Sequence, residues 1–305
     1  MKKTITSLLL LAAITLLTTS CDRYDGESEE PSYLRIAAVT VVDNPSDSWS
    51  QEDGFFTSRI DAVNVTIWKS GDAAETQLGT FHLPCTIPVL REGTIDKVRI
   101  LPAVKQNGIA GTRMYYPYYK EIELFDVELA KDSVTDLDTL HTRYISKSLM
   151  RVAWQEFFEP GPSTVSLDSV VERLTYKADT VAWGYGCGVV RVPDTLSSLS
   201  FWTSATFNIP DPTSYLYLEM DYWSDFDFLI GMYNPMQQNG SNQIVYCMTI
   251  YGRPERGWQK IYINLGKIWA NNYYYYPDIR LYFTIKNSDG KSGNLFLDNM
   301  KLVVM

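Results

Sequence analysis

Two stretches in the C-terminal half of the chain concentrate large rings beside small or amide residues. Trp183-Gly184-Tyr185-Gly186-Cys187-Gly188 sets two rings between glycines, a composition suited to a turn that exposes them. Trp269-Ala270-Asn271-Asn272-Tyr273-Tyr274-Tyr275-Tyr276-Pro277 is both polar and aromatic, and its consecutive rings cannot all face inward. Asp221-Tyr222-Trp223-Ser224-Asp225-Phe226-Asp227 adds two rings, and the loop from Tyr233 to Gln243 adds the amides Gln237, Gln238, Asn239 and Asn242. Flat ring faces cover the C–H side of a pyranose, while amides and carboxylates bond its hydroxyls. On that chemistry the expected ligand-binding residues are Trp183, Tyr185, Tyr222, Trp223, Gln238, Asn239, Trp269, Asn272, Tyr274 and Tyr275. The competing reading is that such rings simply pack in a β core.

Catalytic constellations are sparse. Only two histidines occur, His82 and His141, and neither belongs to a recognisable triad. No G-x-S-x-G, phosphate-binding loop or H-E-x-x-H is present. Paired carboxylates for glycoside cleavage would have to come from Glu219, Asp221, Asp225 and Asp227, the basis of an alternative reading as a polysaccharide-degrading enzyme. Asp225 and Asp227 serve equally well to solubilise a hairpin.

At the other end, Lys2 and Lys3 precede an uncharged apolar run from Ile5 to Leu17, and Thr18-Thr19-Ser20 leads to Cys21. That is the layout of a secretory signal, too short in its apolar part to span a bilayer permanently. Leu17-Thr18-Thr19-Ser20-Cys21 resembles the lipobox of bacterial lipoproteins, with the aliphatic residue one place further upstream than usual. The resemblance implies cleavage before Cys21, acylation of its thiol and anchoring to a membrane, for which two acyl chains suffice. Residues 22–30 carry five acids and no aliphatic side chain, so they should form a flexible tether. This acidic stretch resembles the export signal of surface lipoproteins in the Bacteroidota. It implies the outer face of the outer membrane, with a periplasmic location as the alternative.

Net charge is −9 overall, and removing residues 1–20 leaves 25 cations against 36 acids. Such a balance argues against nucleic acid or anionic lipid as partners, because phosphate contacts need clustered Lys and Arg. Three cysteines remain, Cys85, Cys187 and Cys247, at spacings that match no zinc or redox motif. They are either buried thiols or, for Cys187 and Cys247, one bridge.

The positioning elements read as strands throughout, because period-2 alternation recurs between Gly, Pro, Asn and Asp clusters. Tyr33–Val42, Ala62–Lys69, Gln77–Leu83, Lys97–Ala103 and Ile122–Leu129 are the expected strands of a first domain over residues 33–130, of immunoglobulin-like type. Within it, Val63–Trp68, Leu78–Phe81 and Ile87-Pro88-Val89-Leu90-Arg91-Glu92-Gly93 resemble small β modules of the PEGA kind, which implies a structural spacer. Tyr115-Tyr116-Pro117-Tyr118-Tyr119 is expected to pack over the sandwich end or against a neighbouring domain. Residues 131–151 are read as the connection between domains, after a tether over 21–32.

In the second domain, residues 152–305, Leu216, Leu218 and Met220 alternate with Tyr217, Glu219 and Asp221, and Ile279, Leu281, Phe283 and Ile285 alternate with Arg280, Tyr282 and Thr284. One buried and one wetter face per strand suits an antiparallel sandwich. Trp154-Gln155-Glu156-Phe157-Phe158-Glu159-Pro160-Gly161 and Leu295-Phe296-Leu297-Asp298-Asn299-Met300-Lys301-Leu302 resemble the opening and closing strands of jelly-roll carbohydrate-binding modules with a galactose-binding-like fold. That resemblance implies a glycan ligand without catalysis, and a structural Ca²⁺ held by Glu159 and Asp298, with Glu156 in reserve. The expected architecture is therefore all-β, an immunoglobulin-like sandwich followed by a jelly roll. A structural or adhesion protein whose aromatic loops bind a protein partner is the alternative.

Overall fold

Alternating side chains leave each strand one apolar face, and two stacked sheets bury it twice over in this chain. The computed structural model describes residues 30–44, 49, 54–161, 165–175, 181–209, 215–234, 244–272 and 278–305. Cys21 and most of the acidic tether lie outside the described residues.

The first domain is built from β1 (Ser32–Ile36), β2 (Ala38–Val41), β3 (Ala62–Trp68), β4 (Thr76–His82) and β5 (Cys85–Val89). It continues through β6 (Gly93–Lys105), β7 (Arg113–Tyr115), β8 (Ile122–Leu129), β9 (Val134–Asp136) and β10 (Thr139–Thr142). One sheet runs β4-β3-β6, with β7 and β8 also paired to β6; the other is β5-β1-β9, continued by β2-β10. Leu34, Ile36, Val63, Val65, Ile87, Val98 and Val127 from both sheets share one core.

One expectation, the immunoglobulin-like topology, finds no confirmation here, and another is corrected. Immunoglobulin domains place their first strand with the second, fifth and fourth, whereas β1 pairs with β5 and β9, in the sheet opposite β3 and β6. Residues 131–151 are also more than a connection. β9 and β10 pair in parallel with β1 and β2, completing the first sandwich. These strands have three and four residues, too few for period 2 to show, and their partners lie about a hundred residues away.

The second domain comprises β11 (Arg151–Glu156), β12 (Glu172–Thr175), β13 (Gly186–Val192), β14 (Ser198–Trp202), β15 (Phe207–Asn208) and β16 (Leu216–Ser224). Then come β17 (Asp227–Tyr233), β18 (Ile244–Ile250), β19 (Gln259–Asn264), β20 (Asp278–Lys286) and β21 (Gly293–Val304). One sheet is β12-β13-β21-β16-β19, with β11 also on β21; the other is β14-β20-β17-β18, with β15 on β20. The chain passes back and forth between the sheets, and every pairing is antiparallel. This is a β-sandwich of the jelly-roll type. Its opening and closing strands pair directly, Trp154 opposite Leu302 and Glu156 opposite Met300.

The face of the first of these sheets that looks away from its own core is buried against the first domain. Tyr217, Tyr262 and Val303 belong to the first domain's core cluster. Tyr116, Tyr118 and Tyr119 are fully buried. Tyr116 packs edge-on against Tyr217 and Tyr262, with ring centroids 5.3 and 4.9 Å apart. Asn107 N donates to Tyr262 O (2.8 Å), and Asn264 N donates to Asn107 Oδ1 (2.9 Å), tying the loop after β6 to β19. The sheet thus docked against the first domain leaves the other sheet, β14-β20-β17-β18, to carry the second domain's far face.

Candidate functional site

On that far sheet the inward side chains are Phe201, Phe228, Ile230, Met232, Leu281, Phe283 and Ile285, all buried in the core. Period 2 then turns Ser200 and Trp202, Arg280, Tyr282 and Thr284, and Leu229, Gly231 and Tyr233 outward. Pairing registers set Trp202, Tyr282, Gly231 and Tyr246 in one row across four strands. The Trp202 and Tyr282 rings are parallel within 4°, centroids 6.0 Å apart. Tyr233 and Tyr246 each stand 6.2 Å from Tyr282 at tilted angles. Beneath them Phe201 and Phe283 repeat the stack on the core side, 4.8 Å apart and 5° from parallel.

Gly231 makes the row possible. A Cβ there would lie 2.6 Å from Val245 O and 3.1 Å from Tyr246 Cα. The missing side chain lets β18 approach at a bulge, where the pairing skips from Ile230–Met248 to Gly231–Tyr246. The rings of Tyr282 and Tyr246 meet over the gap.

A polar row runs alongside. Ser200 Oγ and Thr284 Oγ1 are 3.0 Å apart, and Tyr246 OH is 3.2 Å from Thr284 Oγ1. Tyr246 is exposed, and Trp202, Tyr233 and Tyr282 are half-buried. The result is an aromatic platform edged by hydroxyls, an arrangement that stacks on apolar ring faces while bonding the groups around them.

None of these four rings belongs to the set expected from sequence. The sequence does carry a signal for them, because Tyr282 occupies the polar phase of a clearly alternating strand. Of the expected residues, Trp183 (58% exposed) and Tyr185 (60%) do reach solvent, on the turn before β13. The neighbouring glycines serve packing instead: a Cβ at Gly188 would meet the Phe158 ring at 2.5 Å, and one at Gly186 would meet Phe158 O at 2.0 Å. Tyr222 is half-buried at the floor of a cleft between the domains. Trp223 is committed to structure, its Nε1 donating to Pro254 O (3.0 Å) and its ring against Phe296.

Trp269 must be corrected. It is fully buried in the core. Asn264 Oδ1 accepts from Gly266 N (3.0 Å), starting a short helix, Gly266–Asn272, that turns the indole inward. Asn272 ends that helix, and its side chain lies outside the described residues, as do Gln238, Asn239, Tyr274 and Tyr275.

The four acids weighed for hydrolysis are held elsewhere. Glu219 is fully buried, accepting from Tyr116 OH and Tyr144 OH. Asp221 accepts from Asn299 Nδ2 (2.8 Å), Asp225 from Asn294 N (2.8 Å) and Asp227 from Gly252 N (2.9 Å).

Glu159 and Asp298 lie within electrostatic reach of one another. Both Glu159 carboxylate oxygens accept from Tyr185 N at 3.2 Å. Asp298 is buried; its Oδ1 accepts from Asn299 N (2.8 Å), and its Oδ2 has no hydrogen-bond partner. Burial pushes its pKa up to about 8, the Asp221 and Glu159 charges adding to the rise against the Asn299 and Trp183 amides. An orphaned carboxylate oxygen beside a second acid fits a hard cation that prefers oxygen. No third acid, His or Cys joins them among the described residues, so carbonyls would complete the shell. Glu156 is spent on the turn, accepting from Phe158 N and Ser166 N.

No protein-family model matches the chain, and no curated protein matches it. Among solved structures it is similar to a family 61 carbohydrate-binding module in complex with β-1,4-galactotriose, at 16% identity, TM-score 0.32, over 50% of this chain and 97% of that one. It is also similar to the family 30 carbohydrate-binding module of a cellulosomal cellulase of Clostridium thermocellum, at 13% identity, TM-score 0.33, over 51% and 97%. A structure described for promiscuous carbohydrate-binding modules of the β-sandwich superfamily overlaps 91% of this chain and 99% of its own, at 13% identity and TM-score 0.31.

Proposed function

We propose that this protein binds glycan without transforming it, on the outward sheet of its second domain. One observation carries the reading: Trp202 and Tyr282 lie parallel on the outward face, flanked by Tyr233, Tyr246 and a hydroxyl row. A sugar ring laid on Tyr282 would have aromatic neighbours on three sides and Thr284 and Ser200 within reach of its hydroxyls. A platform on a sheet is rigid before binding, which lowers the ordering cost of association.

The anchor belongs to the same reading. A lipid on Cys21, an acidic tether and the first sandwich would hold the platform away from an outer membrane, facing the cell exterior. Glu159 and Asp298 would hold a structural Ca²⁺ that neutralises their paired charge at the start of the second domain.

A glycan array on the purified protein, followed by titration calorimetry on the hits, tests the main claim. Trp202→Ala and Tyr282→Ala should each weaken a hit roughly fivefold or more, taking the contact of an aromatic face as worth about 1 kcal/mol. Undiminished binding by both variants, or no glycan bound at all, sinks the proposal. Protease shaving of intact cells tests the orientation, and loss of protein only after lysis would place it inside. Unchanged Tm with calcium or EDTA would remove the metal.

A further inference from the structure

The open side of the second sandwich, between the edges of β18 and β19, meets the end of β6 and Arg59 of the first domain. A cleft of about 580 Å³ lies there, within the range of small-ligand sites. Its lining carries five cations, Arg59, Lys105, Arg253, Arg256 and Lys260, against one acid, Asp61. In a chain of net charge −9 this is a local reversal of sign.

Some of that charge is already paired. Asp61 lies 3.6 Å from Arg59 Nε and 3.2 Å from Lys105 Nζ, and Lys260 lies 3.6 Å from Asp221. Arg253 and Arg256 are exposed and form no ion pair among the described residues. Their turn is held in place: Trp223 Nε1 donates to Pro254 O (3.0 Å), Gly257 N also donates to Pro254 O (3.2 Å), and Gln259 Nε2 donates to Arg256 O (3.1 Å). Arg59 Nη1 donates to Gln259 Oε1 (3.0 Å), which aims the third guanidinium along the same wall. Burial raises the pKa of Tyr222 on the cleft floor, and the charges that oppose the rise are Arg253, Arg59 and Arg256. Three guanidinium groups and this phenol line the same cleft.

We infer that this cleft binds an oxyanion, a carboxylate or sulfate carried on a sugar chain, through Arg59, Arg253 and Arg256 with Tyr222 beneath. Guanidinium groups pair with such groups by paired, charge-assisted hydrogen bonds. A sugar chain is favoured over an acidic peptide because β18 serves both places: Tyr246 stands on the platform, while Cys247 to Ile250 line the cleft. Exposed Tyr251 adds a further ring at the rim. The carbohydrate part of the inference rests on the function proposed above; the anionic part rests on the cleft alone.

The test uses purified full-length protein and five probes: tetragalacturonate, its methyl ester, a κ-carrageenan hexasaccharide, its desulfated form and an oligoglutamate peptide. At least one anionic probe should bind more tightly than its neutral counterpart, and raising salt from about 50 to about 500 mM should weaken it. Arg253→Gln with Arg256→Gln should lower that affinity roughly tenfold or more, while Tm and neutral-glycan binding stay at the wild-type values. The inference fails if neither anionic sugar binds, if the double variant binds as tightly as wild type, or if the oligoglutamate peptide binds better than both. Failure of the platform reading looks different, because neutral glycans would then be ignored while salt-sensitive, arginine-dependent binding persisted.

Discussion

Glu219 Oε2 lies 3.3 Å from Lys301 Nζ across the neighbouring strands β16 and β21, and both side chains are fully buried where the two domains meet. The first domain completes the pair. Tyr116 OH donates to Glu219 Oε1 (2.7 Å) and Tyr144 OH to Oε2 (2.8 Å), while Lys301 Nζ donates to Tyr144 OH (2.8 Å) and to Phe55 O. Burial opposes both charges. It is outweighed at Glu219 by Lys301, Lys260 and the two tyrosines, which hold the carboxyl below its ordinary range. At Lys301 burial prevails and brings the ammonium down to about 8.

Removing one partner strands the other. Lys301→Met should destabilise the protein by about 3–5 kcal/mol, because an uncompensated buried carboxylate remains. Adding Glu219→Leu should recover part of the loss. Urea unfolding monitored by tryptophan fluorescence measures both, and a single variant of wild-type stability would contradict the network.

Asp298 makes stability depend on pH. Its folded pKa of about 8 stands far above the ordinary 3.8. Between those values the folded state keeps a proton that the unfolded chain has released. The stability this contributes is complete below about 4 and is lost as pH rises toward 8. Asp298→Asn, measured in EDTA, should therefore gain in Tm relative to wild type from pH 5 to pH 8. A constant difference across that range would show that Asp298 does not titrate there.

Gly231 should tolerate nothing larger. The Cβ of Gly231→Ala would press on Val245 O and displace β18 with Tyr246. Overpacking of this kind costs about 1–3 kcal/mol. Any glycan hit should weaken along with it. Wild-type Tm and affinity together would mean that the bulge has room the geometry denies.

Among the described residues, Cys85, Cys187 and Cys247 carry thiols with no disulfide joining them. Burial pushes both Cys187 and Cys247 up to about 12, with Asp298 adding to the rise at Cys187. Little thiolate exists at pH 8, so iodoacetamide should label them slowly in the native protein. In urea without reductant all three should label, and mass spectrometry reads the count. Two unreactive thiols that respond only after reduction would reveal a bridge.

Much of the fold was legible because strand alternation is local. β3, β4, β6 and β8 lie where the expected strands fall; β21 contains the closing motif of the second domain, and β11, paired with it, contains the first three residues of the opening one. β9 and β10 were not legible. Their short polar segments become strands only by pairing with β1 and β2, contacts made across most of the first domain.

The sites divide in the same way. By itself the sequence determined that Tyr217, Glu219 and Asp221 share one face of a strand, and that Arg280, Tyr282 and Thr284 share one face of another, because side chains alternate with period 2. Both faces read alike, mixed and polar. Only the tertiary structure decided their fates: docking of the first domain buried Glu219 with Lys301, while the opposite sheet left Tyr282 outward beside Trp202. Which polar face stays wet depends on what packs against it, and that contact joins residues more than a hundred positions apart.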